Sequence, residues 1–204
     1  SAFGWRYGFY IGSDGALNNS FFNLAFDGVS THVDTTAGGK MAGGTTFSGA
    51  GNASYRPVFG GSVVSNDPAF ALGTTAGSQL ILKNYESGST QGTFITTAGA
   101  SVYLDSVSAD SYGNKNDASE YYGVVATANG GAMEIVVRKS RFTVSAVNIH
   151  NHGIRNGVAV ANLQISNNQF ENLNDAIEML TTGSGAMMIT GNNSVSTQGS
   201  ASVI

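Results

Sequence analysis

Four side chains capable of acid–base chemistry and one arginine fall in two short stretches of the sequence, NIHNHGIR and NDAIEM. His150, His152 and Arg155 belong to the first stretch, and Asp175 and Glu178 belong to the second. A histidine and a carboxylate can exchange protons near neutral pH, and a nearby arginine can stabilise developing negative charge. These residue types suit cleavage of a sugar polymer, provided that the fold brings the two stretches side by side.

The two stretches occupy related places in an internal repeat. The segment LQISNNQFENLNDAIEM (163–179) aligns with IVVRKSRFTVSAVNIH (135–150) and with AMMITGNNSVSTQGSASVI (186–204), and looser copies lie upstream. Each copy closes on an apolar residue, and five of the six steps between these closing residues span 24–30 positions. The closing residues are Val29, Ala71, Ile95, Val125, Ile149, Ile177 and Val203. Strand-like repeats of this length indicate a solenoid of parallel strands.

In such a solenoid, equivalent residues of successive turns form columns about 4.8 Å apart. Asn168 and Asn193 are expected to stack at a turn, where asparagine tolerates a left-handed backbone and its amide can bond to the next amide. The expected inward columns are Val137–Ile165–Ile189, Phe142–Phe170–Val195 and Ile149–Ile177–Val203.

The same register places the candidate catalytic residues. His150 follows Ile149 as Glu178 follows Ile177, so His150 and Glu178 are predicted to point outward one turn apart. Arg155 and Asp175 are expected close by, which predicts a catalytic set of His150, Asp175, Glu178 and Arg155. The alternative is a solvated group of charges, worth less than about 1 kcal/mol.

The phrases I-x-N-N-x-F and I-T-G-N-N-S-V, with the closers Asp-Ala-Ile and Ser-Val-Ile, resemble the pectin-lyase-like superfamily. The resemblance is best over residues 58–204. It implies an all-β, right-handed, single-stranded parallel β-helix of about seven turns, with 24–30 residues per turn. We expect residues 1–204 to form one such domain, with residues 1–15 as an N-terminal cap and residues 30–53 as a glycine-rich inserted excursion.

Aromatic residues supply candidates for sugar binding. Tyr112, Tyr121 and Tyr122 flank the polar stretch DSYGNKNDASEYYG, and with His152 they are predicted to offer exposed rings to a glycan. Trp5 and the aromatic residues that alternate after it have a different expected role, closing the end of the β-helix.

Two further groups of charged residues are better explained by structural roles than by catalysis or metal binding. Lys83, Asp105 and Arg138 each follow an inward aliphatic residue, which predicts cross-strand pairing in a column. The acidic residues Asp105, Asp110, Asp117 and Glu120 resemble a calcium-binding group, but they are spread through a polar loop where solvation is favoured. We therefore expect neither a metal nor another cofactor.

Composition narrows the classes of partner. The net charge is −4 and no basic cluster occurs, so nucleic acid is not expected. The chain has no cysteine, and no apolar run approaches the roughly 20 residues of a membrane span. Only 11% of residues are charged, which leaves polar but uncharged faces suited to side-by-side association.

Such β-helices are similar to phage tailspikes, tail fibres and bacterial adhesins. The resemblance implies a receptor-binding fragment that recognises a cell-surface polysaccharide, acts as a homotrimer and is extracellular, on a virion tail or a bacterial surface. Two alternatives stay open at this point. One is a polysaccharide lyase or glycoside hydrolase that uses the His/Asp/Glu set, and the other is a structural adhesin or autotransporter stalk.

Overall fold

The chain forms a parallel β-solenoid in the computed structural model. The structure describes residues 5–27, 29–41, 45–52, 68–75, 77–88, 92–110, 112–113, 119–128, 132–144, 150–180 and 185–195. Across these ranges all regular elements are strands, and none is a helix long and apolar enough to cross a membrane. The prediction of an all-β parallel β-helix is confirmed at the level of fold class.

Twenty strands make up the described part of the solenoid. In chain order they are β1 Trp5–Tyr10, β2 Ala16–Leu17, β3 Ser20–Asp27, β4 Val29–Asp34, β5 Lys40–Met41, β6 Thr46–Asn52, β7 Phe70–Leu72, β8 Gln79–Ser87, β9 Ile95–Thr97, β10 Ser101–Asp105, β11 Ser108–Asp110, β12 Tyr121–Ala126, β13 Glu134–Arg138, β14 Arg141–Thr143, β15 Asn151–Asn156, β16 Asn162–Ser166, β17 Gln169–Glu171, β18 Asp175–Met179, β19 Ala186–Thr190 and β20 Asn193–Val195.

One side of the solenoid is a seven-stranded parallel sheet with the order β1-β4-β7-β9-β12-β15-β18. Apolar residues in register across this sheet point into the core and are at most 1% exposed. They are Val33, Phe70, Ile95, Val124, Ile154 and Ile177. The aliphatic column provides the hydrophobic burial that holds successive turns together.

The remaining sides belong to an eleven-stranded sheet that divides at β8. The first half of β8 pairs with β10, and its second half pairs with β11. From there one limb continues through β13, β16 and β19, and the other continues through β14, β17 and β20. At the corner between the limbs, each turn has one residue with a left-handed backbone. These residues are Asn84, Ser106, Lys139, Asn167 and Gly191.

An asparagine ladder follows this corner. The Asn168 side chain is 2% exposed, and its Nδ2 donates to the carbonyl oxygen of Val137 at 2.9 Å and to Oδ1 of Asn192 at 3.0 Å. Its Oδ1 accepts the backbone N–H of Ser140 at 2.9 Å. The predicted asparagine stack therefore exists, but the partner is Asn192 and not Asn193. The reason is that Asn193 pairs with the following strand position, Gln169.

The other predicted columns are correct in part. Val137, Ile165 and Ile189 are in register, and the rings of Phe142 and Phe170 stack 5.5 Å apart at 11°. Val195 does not continue the ring column, because Phe170 pairs with Ser194 and Val195 is 54% exposed.

The number of turns also differs from the prediction. The stack has about five turns rather than seven, because both limbs run regularly only from β8 onward. Before that point β3 pairs with β6 across a register shift between Phe21 and Leu24, and β2 and β5 form a small sheet of their own. Residues 30–53, predicted to be an excursion, contribute to β4, β5 and β6. Within residues 1–15, β1 is the edge strand of the seven-stranded sheet.

Candidate functional site

Gly153 changes which side chains of β15 reach the outside of the seven-stranded sheet. A Cβ atom on Gly153 would lie 2.8 Å from the ring of Phe170, so this position faces the core. Ile154, the next residue, is also buried in the core, so the two-residue alternation of a strand is broken here. Residues on both sides of the break, His152 and Arg155, can consequently approach the same outer surface.

His152 and Asp175 form a hydrogen-bonded pair on neighbouring strands. They are in register between β15 and β18, and His152 Nδ1 lies 3.0 Å from Asp175 Oδ2. The side chains are 8% and 22% exposed. The ring of Tyr122 stacks on His152 at 5.1 Å and 25°. In the neutral imidazole, donation from Nδ1 to the carboxylate leaves Nε2 as the basic nitrogen, which is the arrangement that a general base requires.

Beside this pair lies the Arg155 cluster, which we define as Glu120, Tyr122, Arg155 and Glu178. Arg155 Nη1 is 3.0 Å from Glu120 Oε2, and Arg155 Nε is 3.4 Å from Glu178 Oε2. The Tyr122 hydroxyl donates to Glu120 and accepts from Arg155 Nη1. The hydrogen bond from Tyr122, with the positive charge of Arg155, lowers the pKa of the Glu120 carboxyl below its usual value.

The predicted catalytic residues are partly brought together. Asp175, Glu178 and Arg155 lie on two adjacent strands, with Arg155 opposite Glu178. His150 is not opposite Glu178 as predicted. It precedes β15, and its carbonyl oxygen accepts the N–H of Tyr121 at 2.9 Å. The histidine that meets an acid in this surface is His152.

The cause of the wrong register is the length of one connection. Ile154, and not Ile149, pairs with Ile177, because Ile154 follows Phe142 by twelve residues, whereas Ile177 follows the equivalent Phe170 by seven. Ile149 itself lies outside the described residues, as does Val203. Val124 replaces the predicted Val125 in the same column, and Val125 lies outside the hydrophobic core with 9% of its surface exposed.

The three predicted glycan-binding tyrosines are less exposed than expected. Tyr112 is 1% exposed and donates from its hydroxyl to the carbonyl oxygen of His152 at 2.6 Å. Tyr121 is also buried. Tyr112 packs in the hydrophobic core, and with so little exposed surface neither ring offers a face for stacking on a sugar. Tyr122 is only 6% exposed, because one ring face lies on His152 and Arg155 Cζ sits 5.2 Å from the ring centroid.

The outward surface of the seven-stranded sheet, which we call the long face, also holds a site that the sequence interpretation missed. A cleft of about 370 Å³ opens over β4, β7 and β9. Tyr7, Thr31, Asp34, Thr36 and Thr96 are among its lining residues. Asp34 is fixed there, because its Oδ1 accepts from the backbone N–H of Thr36 at 2.8 Å and from the Thr36 hydroxyl at 2.6 Å.

A single outward column connects this cleft with the Arg155 cluster. The column runs Asp34–Ala71–Thr96–Val125–Arg155–Glu178. At about 4.8 Å per step it is about 24 Å long. Its middle residues, Ala71, Thr96 and Val125, are small or β-branched, and Ala71 and Val125 are 8% and 9% exposed, so they form a closely packed, shallow floor between polar groups at both ends. The sequence could have revealed this column only through the register of the strands. That register depends on where each connection begins and ends, which the repeat pattern does not show.

Two further acidic residues of the predicted calcium-binding group, Asp105 and Asp110, are paired with arginines. Asp105 lies between Lys83 and Arg138 in register and is 2.9 Å from Arg138 Nη2, which confirms the predicted cross-strand column. Asp110 is 3.6 Å from Arg141. Asp117 lies outside the described residues. Among the positions that the structure does describe, no group of three His, Asp or Glu side chains could hold a metal ion.

Comparison with known proteins gives no relative from which a role could be transferred. No family model, no curated protein and no solved structure matches the chain. The fold and the geometry of the long face are therefore the observations on which function rests.

Proposed function

We propose that this chain recognises a bacterial surface polysaccharide and binds it along the long face. The observation that carries the proposal is the continuous outward column from Asp34 to Glu178, which joins a polar cleft to the Arg155 cluster. A shallow floor of about 24 Å suits an extended polymer better than a compact small molecule. Hydroxyl groups of sugars are matched by the carboxylates, the guanidinium and the threonine hydroxyls along it.

The biological setting that we propose is a phage tailspike or tail fibre, with the chain acting as an extracellular, trimeric receptor-binding fragment. The supporting features are the parallel β-solenoid and the low share of charged residues, 11%, which leaves uncharged polar faces for association of three copies. Light scattering of the purified chain tests the trimer, and a monomer at micromolar concentration would contradict it.

Binding itself is tested with immobilised capsular polysaccharides and lipopolysaccharides. Arg155→Gln removes the positive centre of the cluster, and we expect it to weaken binding at least tenfold. Arg141→Gln is a matched control, because Arg141 also pairs with two carboxylates but lies on β14, away from the long face. Equal losses from both variants would contradict binding at the long face.

Cleavage of the bound glycan is the second candidate function, and the His152–Asp175 pair is the observation that favours it. His152 would act as the base, Asp175 would orient it, and Glu178 and Arg155 lie on the same two strands. Released reducing ends report hydrolysis, and ultraviolet absorbance of unsaturated sugars reports elimination. His152→Ala should abolish cleavage, and Asp175→Asn should reduce it strongly. If cleavage survives both substitutions, this pair is not catalytic.

A further inference from the structure

A second surface has the chemistry of a sugar site, on a different side of the solenoid. We call it the lateral face and define it as the outward surface of β8, β10, β13, β16 and β19. In its centre Ile81, Tyr103 and Val136 stand side by side in register on three strands. Their neighbours along the strands, such as Leu104 and Val137, are at most 1% exposed, so the alternation turns this apolar stripe outward.

The ring at the centre of the stripe is held in place. The Tyr103 hydroxyl donates to Glu134 Oε2 at 2.6 Å, from the neighbouring strand. Burial, together with this hydrogen bond and the negative charge of Glu134, raises the pKa of Tyr103 to about 12. The hydrogen bond to Glu134 anchors the end of the ring over the sheet.

Clefts open on both sides of this ring. One has a volume of about 270 Å³ and is bordered by Gln79, Ser101, Tyr103 and Glu134. The other has a volume of about 250 Å³ and is bordered by Ile81, Tyr103, Glu134 and Val136, with polar residues at its far rim. Tyr103 and Glu134 line both clefts and form the ridge between them.

The polar rim of the second cleft carries balanced charge. Lys83, Asp105 and Arg138 lie on it, and Arg138 Nη2 is 2.9 Å from Asp105 Oδ2. With Glu134 the site therefore has two cations and two carboxylates. Balanced donors and acceptors around an apolar floor fit an uncharged pyranose, which has an apolar face and a rim of hydroxyl groups.

We propose that the lateral face is a second carbohydrate site, which binds neutral pyranose residues on the two sides of the Tyr103 ring. The site goes beyond the polysaccharide site of the long face, because it lies on another sheet and uses none of the same side chains. The Tyr103 ring supplies the stacking surface, Ile81 and Val136 extend it, and Glu134 and Arg138 bond to the sugar hydroxyls.

The test is a titration of the isotope-labelled chain with sugars, followed by backbone amide chemical shifts. The probes are short neutral oligosaccharides of glucose, galactose, mannose and N-acetylglucosamine, each added to millimolar concentration. We expect the largest changes in chemical shift at the amides of residues 79–83, 101–105 and 134–138. Tyr103→Ala should weaken binding about tenfold, because the stacking surface is lost. Tyr103→Phe should weaken it by only about threefold, because the ring remains while the hydrogen bond to Glu134 is lost.

Gln164→Ala is the matched control, since Gln164 continues the same outward column next to Val136 but borders neither cleft. This variant should bind like the unchanged chain. Shifts confined to the long face would overturn the second site and leave the proposed function standing. Shifts confined to the lateral face would support the second site and leave the long face to the test with bacterial polysaccharides. No shift at 79–83, 101–105 and 134–138 with any of these probes would overturn the second site, and the long face would still stand on its own test.

Discussion

Acid should destabilise this solenoid through one buried histidine. His32 lies in β4 with no exposed surface, and its Nδ1 is 2.9 Å from the Tyr85 hydroxyl. The edge of its ring meets Phe70 at 5.4 Å and 89°. Burial lowers the pKa of His32 from 6.5 to about 3, because the charged form loses its hydration.

The sign and size of the effect follow from linkage. Below pH 6.5 His32 becomes protonated in the unfolded chain, whereas in the folded chain it stays neutral until the pH falls to about 3. The contribution of His32 to stability is therefore complete above pH 6.5 and is lost as the pH falls from 6.5 toward 3. Each pH unit in this window costs about 1.4 kcal/mol, so the loss between pH 7.5 and pH 5 is about 2 kcal/mol.

The assay is urea unfolding followed by circular dichroism at several pH values between 5 and 7.5, for the unchanged chain and for His32→Gln. The variant retains His150 and His152, so the difference between the two pH profiles isolates His32. We expect the free energy of unfolding of the variant to vary about 2 kcal/mol less over this range. Parallel profiles for the two proteins would refute the assignment of a neutral, buried His32.

Three other predictions concern the asparagine ladder, the break in side-chain alternation at Gly153 and the Arg155 cluster. Asn168→Ala should lower the free energy of unfolding by about 3 kcal/mol in urea denaturation, because two buried backbone groups lose their partners; an unchanged midpoint would contradict this. Gly153→Ala should cost about 3 kcal/mol in the same assay, since its Cβ would lie 2.2 Å from a backbone carbonyl oxygen. Gly12→Ala, whose nearest contact would be 4.0 Å away, serves as its control and should change the midpoint little. Tyr122→Phe should raise the pKa of Glu120, measured by carboxyl ¹³C chemical shifts, because the hydrogen bond that stabilises the carboxylate is lost; a constant pKa would contradict that cause.

The sequence was sufficient for the parts of the fold that depend on local spacing. Val137 and Ile165 lie before, and Phe142 and Phe170 lie after, corners of equal length, so their columns could be predicted from one repeat to the next. The Asp105–Arg138 pair follows from the same columns. Side-chain period and corner length together fix register within this half of each turn.

The candidate site was harder to predict because connections of different length precede the strands of the long face. The extra residues before β15 move the chain by five positions, which brings His152 to Asp175 and separates His150 from Glu178. The inward glycine at Gly153 adds a second break, since it lets residues on both sides reach the same surface. Neither effect leaves a periodic signal in the sequence.

Binding along the long face is tested most directly by a crystal structure of the chain with a bound oligosaccharide. The sugar is selected beforehand as the polysaccharide fragment that binds in solution. We expect sugar rings within about 4 Å of Thr96 and Val125, with hydrogen bonds to Arg155 or Glu178 at one end. A complex in which the long face is empty and the sugar lies only elsewhere would contradict the proposed function.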